Sequence, residues 1–112
     1  MTTSDRLPDW PPPDGEPIGE ERARAYIAWI RDHAPPLIAE GRRMLQERWG
    51  VEDTGTSSAR VHQLATWRLA PEMKGLNIGC VWAPVKGGTW AMADISILRD
   101  GRLEVRAGWN MG

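Results

Sequence analysis

Residues 75–110 read GLNIGCVWAPVKGGTWAMADISILRDGRLEVRAGWN, and apolar side chains recur at every second position along three segments of this stretch. Because successive side chains of a β-strand point to opposite faces, the alternation predicts three half-buried strands. The residues predicted to share the buried face are Leu76, Ile78, Cys80, Trp82, Ala91, Ala93, Ile95, Ile97, Leu103, Val105, Ala107 and Trp109.

The loop between the last two strands sets their register. A two-residue loop at Asp100-Gly101 would pair Ile97 with Glu104 and mix the two faces, whereas a three-residue loop that begins at Arg99 aligns the apolar residues. We therefore predict a type I turn with Gly101 in the left-handed conformation of a G1 bulge. The predicted pairs are Ile97–Leu103, Ile95–Val105, Ala93–Ala107 and Asp94–Arg106.

The preceding turn is predicted to centre on Lys86-Gly87, and a fourth strand is predicted over Val61–Leu69. These choices complete a four-stranded antiparallel meander with one continuous apolar face, which helices must cover. The predicted pairs are Trp82–Ala91, Cys80–Ala93, Ile78–Ile95, Leu76–Ile97, Leu69–Leu76, Trp67–Ile78 and Ala65–Cys80.

Two helices are predicted before the sheet. Apolar residues at helical spacing indicate the first over residues 20–33, and the prolines that follow end it. The second runs from Pro36 to Trp49, with Gly50 as its stop. Gly41 lies inside this helix, where glycine costs up to about 1 kcal/mol, so we expect another backbone to approach closely there. Residues 51–59 are polar and predict a loop.

An N-terminal arm precedes the helices. Residues 1–18 hold five of the nine prolines, and residues 1–21 carry six acidic side chains against one arginine. This composition predicts an extended, acidic, partly polyproline-like arm, either docked or disordered. The organisation is thus an arm over 1–18 and a single α+β domain over 19–112, with two N-terminal helices on one face of the sheet.

Composition limits the function classes. The net charge of −1 argues against nucleic-acid binding by bulk electrostatics. The single cysteine excludes an internal disulfide, and the sequence shows neither a signal peptide nor a transmembrane run. We therefore expect a cytoplasmic protein without membrane contact.

The predicted register leaves an apolar cluster on the outer face of the sheet, formed by Leu64, Val81, Trp90 and Met92 beside His62. A solvated sheet face does not normally carry such a cluster. Three explanations are open: the arm with Trp10 covers it, another protein or a second copy binds it, or the register is wrong.

Catalytic, metal and cofactor sites are not predicted. No histidine or cysteine spacing resembles a zinc site, and Cys80 is expected as a buried, inert thiol. Asp94 opposite Arg106 is typical of a modest surface ion pair rather than of an acid–base couple.

Residues from about 37 to 110 resemble the compact NTF2-like and cystatin-like domains, in which a helix precedes a curved antiparallel sheet. The matching features are the helix end at Trp49-Gly50, Trp82 within a strand, the Gly87-Gly88 turn and the hairpin at Asp100-Gly101. Some bacterial toxin-immunity proteins of this size have a similar layout.

These observations favour a non-enzymatic protein-binding domain, a small inhibitor, immunity or anti-defence protein that acts through its exposed sheet face. Its expected contact residues are Trp90, Met92, Val81, Leu64, His62, Trp10, Arg106 and Asp94. The expected partner is another protein, for example a basic toxin or a nucleic-acid-handling complex, or a second copy. The alternatives are a structural subunit whose arm threads onto a neighbour, and a small NTF2-like enzyme with His62, Asp94 and Arg106 around a pocket.

Overall fold

The computed structural model describes residues 6–110, except for the side chains of the last two. The first five residues of the predicted arm and the side chain of Trp109 therefore lie outside the described part. The elements in chain order are α1 (Glu20–His33), α2 (Pro35–Trp49), β1 (Gly55–Ser58), α3 (Val61–Thr66), β2 (Gly75–Val85), β3 (Thr89–Leu98) and β4 (Leu103–Asn110).

Both long helices form where the sequence predicts them. Glu20 and Glu21 occupy the first turn of α1, where carboxylates favour the positive end of the helix dipole. Helix α2 begins one residue earlier than predicted, at Pro35, because a proline in the first turn gives up no helical hydrogen bond. Gly50 ends α2 in the left-handed conformation, as predicted.

The hairpin of β3 and β4 has the predicted register throughout. Ile97 faces Leu103, and Asp94 faces Arg106. The Gly101 N–H donates to the Leu98 carbonyl at 2.8 Å, and Gly101 has a φ of 88°. The predicted three-residue loop and left-handed glycine are confirmed.

The register of β2 against β3 was predicted wrongly over most of its length. The turn holds three residues rather than two, since Val85 pairs with Thr89, and both of its glycines have positive φ. A β-bulge between Asn77 and Gly79 then shifts the register back by one. The extra turn residue and the bulge therefore cancel at the end of the strand pair away from the turn, where Leu76 faces Ile97 as predicted.

The first strand was also predicted in the wrong place. Residues 61–66 form α3, not a strand, because Val61 and Leu64 follow helical spacing and the Gln63 side chain accepts a hydrogen bond from the Arg60 N–H at 3.0 Å. The polar segment Gly55–Ser58, predicted as loop, supplies β1. The sheet keeps the predicted meander order, β1-β2-β3-β4, and is antiparallel throughout.

The helices pack on one face of the sheet, as predicted for this α+β fold. A Cβ added at Gly41 would lie 3.0 Å from Val81 Cγ2 and 3.2 Å from Ala93 Cβ. Helix α2 therefore lies directly on β2 and β3, which explains the glycine at a helical position. Under α2 the buried residues are small, Val81, Ala83, Ala91 and Ala93 around Leu45.

The arm is docked onto the domain rather than onto the outer face. The Leu7 N–H donates to the Gly101 carbonyl at 2.8 Å, and the Trp10 indole N–H donates to the Leu98 carbonyl at 2.9 Å. Leu7 and Ile18 are 3% and 2% exposed, within the core that α1 and α3 share with the sheet. The described part of the arm thus belongs to the fold and lies at the end of the sheet near the β3–β4 turn.

Candidate functional site

The outer face of the sheet, opposite the helices, is where the exposed apolar surface lies. In the part of β2 that follows the bulge, the register and the alternation of side chains place Cys80, Trp82 and Pro84 on this side. From β3 they direct Trp90 and Met92 there. We call Trp82, Pro84, Trp90 and Met92 the outer cluster.

Two residues of β1 hold the Trp82 ring in place. Its indole Nε1 donates to Ser57 Oγ at 3.1 Å, which satisfies the polar atom that a tryptophan brings. Its ring lies over Gly55, its partner on β1, where an added Cβ would come within 2.4 Å of the ring. The absence of a side chain at Gly55 is therefore what lets the ring lie flat across the edge of the sheet.

Trp90 is the exposed member of the outer cluster. Its ring packs edge-on against Trp82, with centroids 5.3 Å apart and planes at 65°, the arrangement that aromatic quadrupoles favour. At 37% exposure it is the only exposed large apolar side chain among residues 6–108. Met92 is half-buried. It pairs with Trp82 of β2 on one side and with Gly108 of β4 on the other.

A polar row borders the cluster toward the middle of the sheet. In this row Cys80 pairs with Asp94, and Asp94 pairs with Arg106. Burial raises the pKa of the Cys80 thiol, and the negative charge of Asp94 raises it further. Arg106 Nε lies 3.4 Å from a carboxylate oxygen of Glu104, its neighbour along β4. The raised pKa disfavours the thiolate, the form in which a cysteine acts as a nucleophile.

Half of the predicted contact residues occupy the predicted face. Trp90, Met92, Asp94 and Arg106 lie on the outer side, as expected. Val81 does not: the bulge turns it inward, where it is fully buried beneath α2.

The other three predicted contact residues lie away from the outer face. Leu64 is fully buried in α3, within the core on the helix side of the sheet. His62 is exposed on the same short helix, so it does not share a pocket with Asp94 and Arg106. Trp10 contacts Tyr26 and the β3–β4 turn, at the opposite end of β3 from Trp90, about 27 Å away along the strand.

Trp82 and Cys80 were predicted on the buried face and lie on the outer one. The sequence does carry a signal for this, since a lone glycine inside a strand often marks a bulge or a close backbone approach. Gly79 is that residue, because an added Cβ would lie 2.4 Å from the Ser57 carbonyl oxygen.

The chain matches no protein-family model, no curated protein and no solved structure. Within residues 6–110, no three histidine, cysteine or acidic side chains come together as a metal site would require. No helix in this part of the chain has the length and apolar character needed to cross a bilayer.

Proposed function

We propose that the protein is a non-enzymatic protein-binding domain, of the small inhibitor, immunity or anti-defence type, and that the outer cluster is its contact surface. The observation that carries this proposal is an exposed tryptophan packed on a second, fixed tryptophan, on the sheet face opposite the helices. Tryptophan and methionine are enriched where proteins meet, and tryptophan is prominent among the residues that dominate binding energy.

The geometry of the outer cluster suits a preorganised anchor. Trp82 loses little freedom on binding, because Ser57 and Gly55 already fix its ring. The Trp90 indole N–H has no acceptor among the residues that the structure describes, so it is available to a partner's carbonyl or carboxylate. The polar row of Cys80, Asp94 and Arg106 supplies the hydrated rim that such interfaces have.

The test replaces the two cluster residues of β3 with aspartate, Trp90→Asp together with Met92→Asp, in protein expressed in its source organism. A photo-crosslinking amino acid at Ser96, on the same face, captures what lies against the sheet, and mass spectrometry quantifies it. Loss of an aromatic anchor costs at least about 2 kcal/mol, so we expect the captured partner to fall on the order of thirtyfold.

The control variant places one added negative charge elsewhere on the outer face, as Asn77→Asp, whose side chain is exposed near the other end of β2. This variant should capture the partner to the same extent as the wild type. Sedimentation velocity on the same variants tests whether the partner is a second copy of the chain. In that case the wild type and the control should sediment as dimers, and the cluster variant as a monomer. A cluster variant that remains folded by circular dichroism and captures the same protein to the same extent would contradict the proposal.

A further inference from the structure

A second surface, separate from the outer cluster, lies on the other side of the sheet at its β1 edge. A cleft of about 660 Å³ opens there between β1 and helix α1. Its apolar residues include Ile27 and Ile30 of α1 and Ile78 of the bulge. Among its lining residues are two arginines, Arg31 and Arg60, and no acidic residue.

Strand β1 presents backbone groups along this cleft that pair with no other strand in the described part of the chain. It is an end strand of the sheet, and the Ala59 N–H donates to the Ile78 carbonyl at 2.7 Å. In an antiparallel pair, residues bonded to the partner strand alternate with residues whose N–H and C=O point away. The register therefore directs the backbone groups of Thr56 and Ser58 to the free edge.

The two arginines are available for a ligand. Neither guanidinium forms an ion pair with any carboxylate among residues 6–110, and both side chains are exposed. Other arginines of the described chain do pair, for example Arg22 with Asp9 and Arg99 with Asp14. Two unneutralised cations on the walls of one cleft favour an anionic occupant.

A small apolar cavity of about 90 Å³ continues the cleft along β1. It is lined by residues of both long helices, including Ile30 and Ile38, and by Ile95 of the sheet. An apolar side chain placed next to the arginines would enter it. The chemistry of the site is thus backbone hydrogen bonds at the edge, an apolar slot and two positive charges.

We propose that this cleft binds an extended acidic segment of another protein as a fifth strand, antiparallel or parallel to β1. The segment's backbone bonds to Thr56 and Ser58, its apolar side chains enter the slot, and its carboxylates pair with Arg31 and Arg60. Addition of a strand to a free edge uses main-chain bonds for affinity and alternate side chains for specificity. The occupant is distinct from whatever the outer cluster contacts.

The test uses two blocked six-residue peptides, Ser-Val-Ser-Glu-Ser-Glu and Ser-Val-Ser-Lys-Ser-Lys, in which the valine and the charged residues occupy every second position and so share one face of a strand. Nuclear magnetic resonance follows the backbone amides of the 15N-labelled full chain during titration. We expect the glutamate peptide to shift the amide resonances of Thr56 and Ser58 until the site is saturated. The lysine peptide should leave these resonances unchanged. Added salt should weaken binding, because the charges are solvent-exposed.

Two sets of variants separate the contribution of the arginine charges from that of the backbone hydrogen bonds. Arg31→Glu with Arg60→Glu should weaken the glutamate peptide on the order of tenfold and favour the lysine peptide instead. Ser58→Pro removes the outward N–H without touching a bond to β2 and should abolish binding. Ser58→Ala keeps that N–H and should bind as the wild type does.

The proposal is overturned if neither peptide shifts Thr56 and Ser58, if both peptides bind equally, or if the charge-reversed variant, folded by its amide spectrum, keeps the glutamate preference. The outer-cluster variant Trp90→Asp with Met92→Asp should bind the glutamate peptide normally. Shifts that instead centre on Trp82 and Trp90 would also overturn the proposal, and they would leave the outer cluster as the peptide site.

Discussion

At the scale of single residues, the environment of Cys80 lowers the reactivity of its thiol. Burial and the facing Asp94 carboxylate both raise the pKa of the Cys80 thiol, so the thiolate fraction at a given pH is smaller than for a free cysteine. We expect iodoacetamide to alkylate Cys80 more slowly than a model thiol at pH 8. The pH–rate profile should be displaced to higher pH.

Asp94→Asn tests the electrostatic part of this account. Removal of the negative charge should lower the Cys80 pKa and raise the alkylation rate at pH 8, since more thiolate is then present. Glu104→Gln is the control, because Glu104 lies opposite Ser96 in the hairpin and its carboxylate contacts Arg106 rather than Cys80. Equal rates for Asp94→Asn and Glu104→Gln would show that burial alone controls the thiol.

At the scale of elements, the bulge in β2 decides which side chains face outward. Gly79→Ala places a Cβ 2.4 Å from the Ser57 carbonyl oxygen, and this oxygen moves only if β1 moves. We expect the variant to lower the free energy of unfolding by about 1–3 kcal/mol in urea titrations, the usual cost of overpacking. Gly108→Ala, with no atom within 4 Å of the added Cβ, should stay within about 0.5 kcal/mol of the wild type. Equal stabilities for the two variants would contradict the account.

The same element shows how far sequence reasoning reaches. The β3–β4 register could be predicted because the Arg99–Gly101 loop and the apolar alternation agree on one alignment. In β2, alternation alone fits two registers, since Trp82 and Val81 are both apolar and either can face the core. The polar β1 segment has no hydrophobic pattern, because its pairing with β2 rather than its own residues makes it a strand.

At the scale of the whole molecule, the described arm is part of the folded domain. Its Leu7 side chain is buried in the shared core, and Asp9 and Asp14 pair with Arg22 and Arg99. Leu7→Ala should therefore lower the free energy of unfolding by about 2–5 kcal/mol, the range for large-to-small changes in a core. Pro13→Ala, at an exposed arm position, should have little effect. A Leu7→Ala variant as stable as Pro13→Ala would show that the arm does not dock.

The outer cluster exists only if the bulge turns Trp82 outward and Val81 inward. A nuclear Overhauser spectrum of isotopically labelled protein measures this directly. We predict cross-peaks between the rings of Trp82 and Trp90, and between the Val81 methyl groups and the α-protons of Gly41. Cross-peaks from the Trp82 ring to the Leu45 methyl groups, together with Val81 contacts to Met92, would contradict the account.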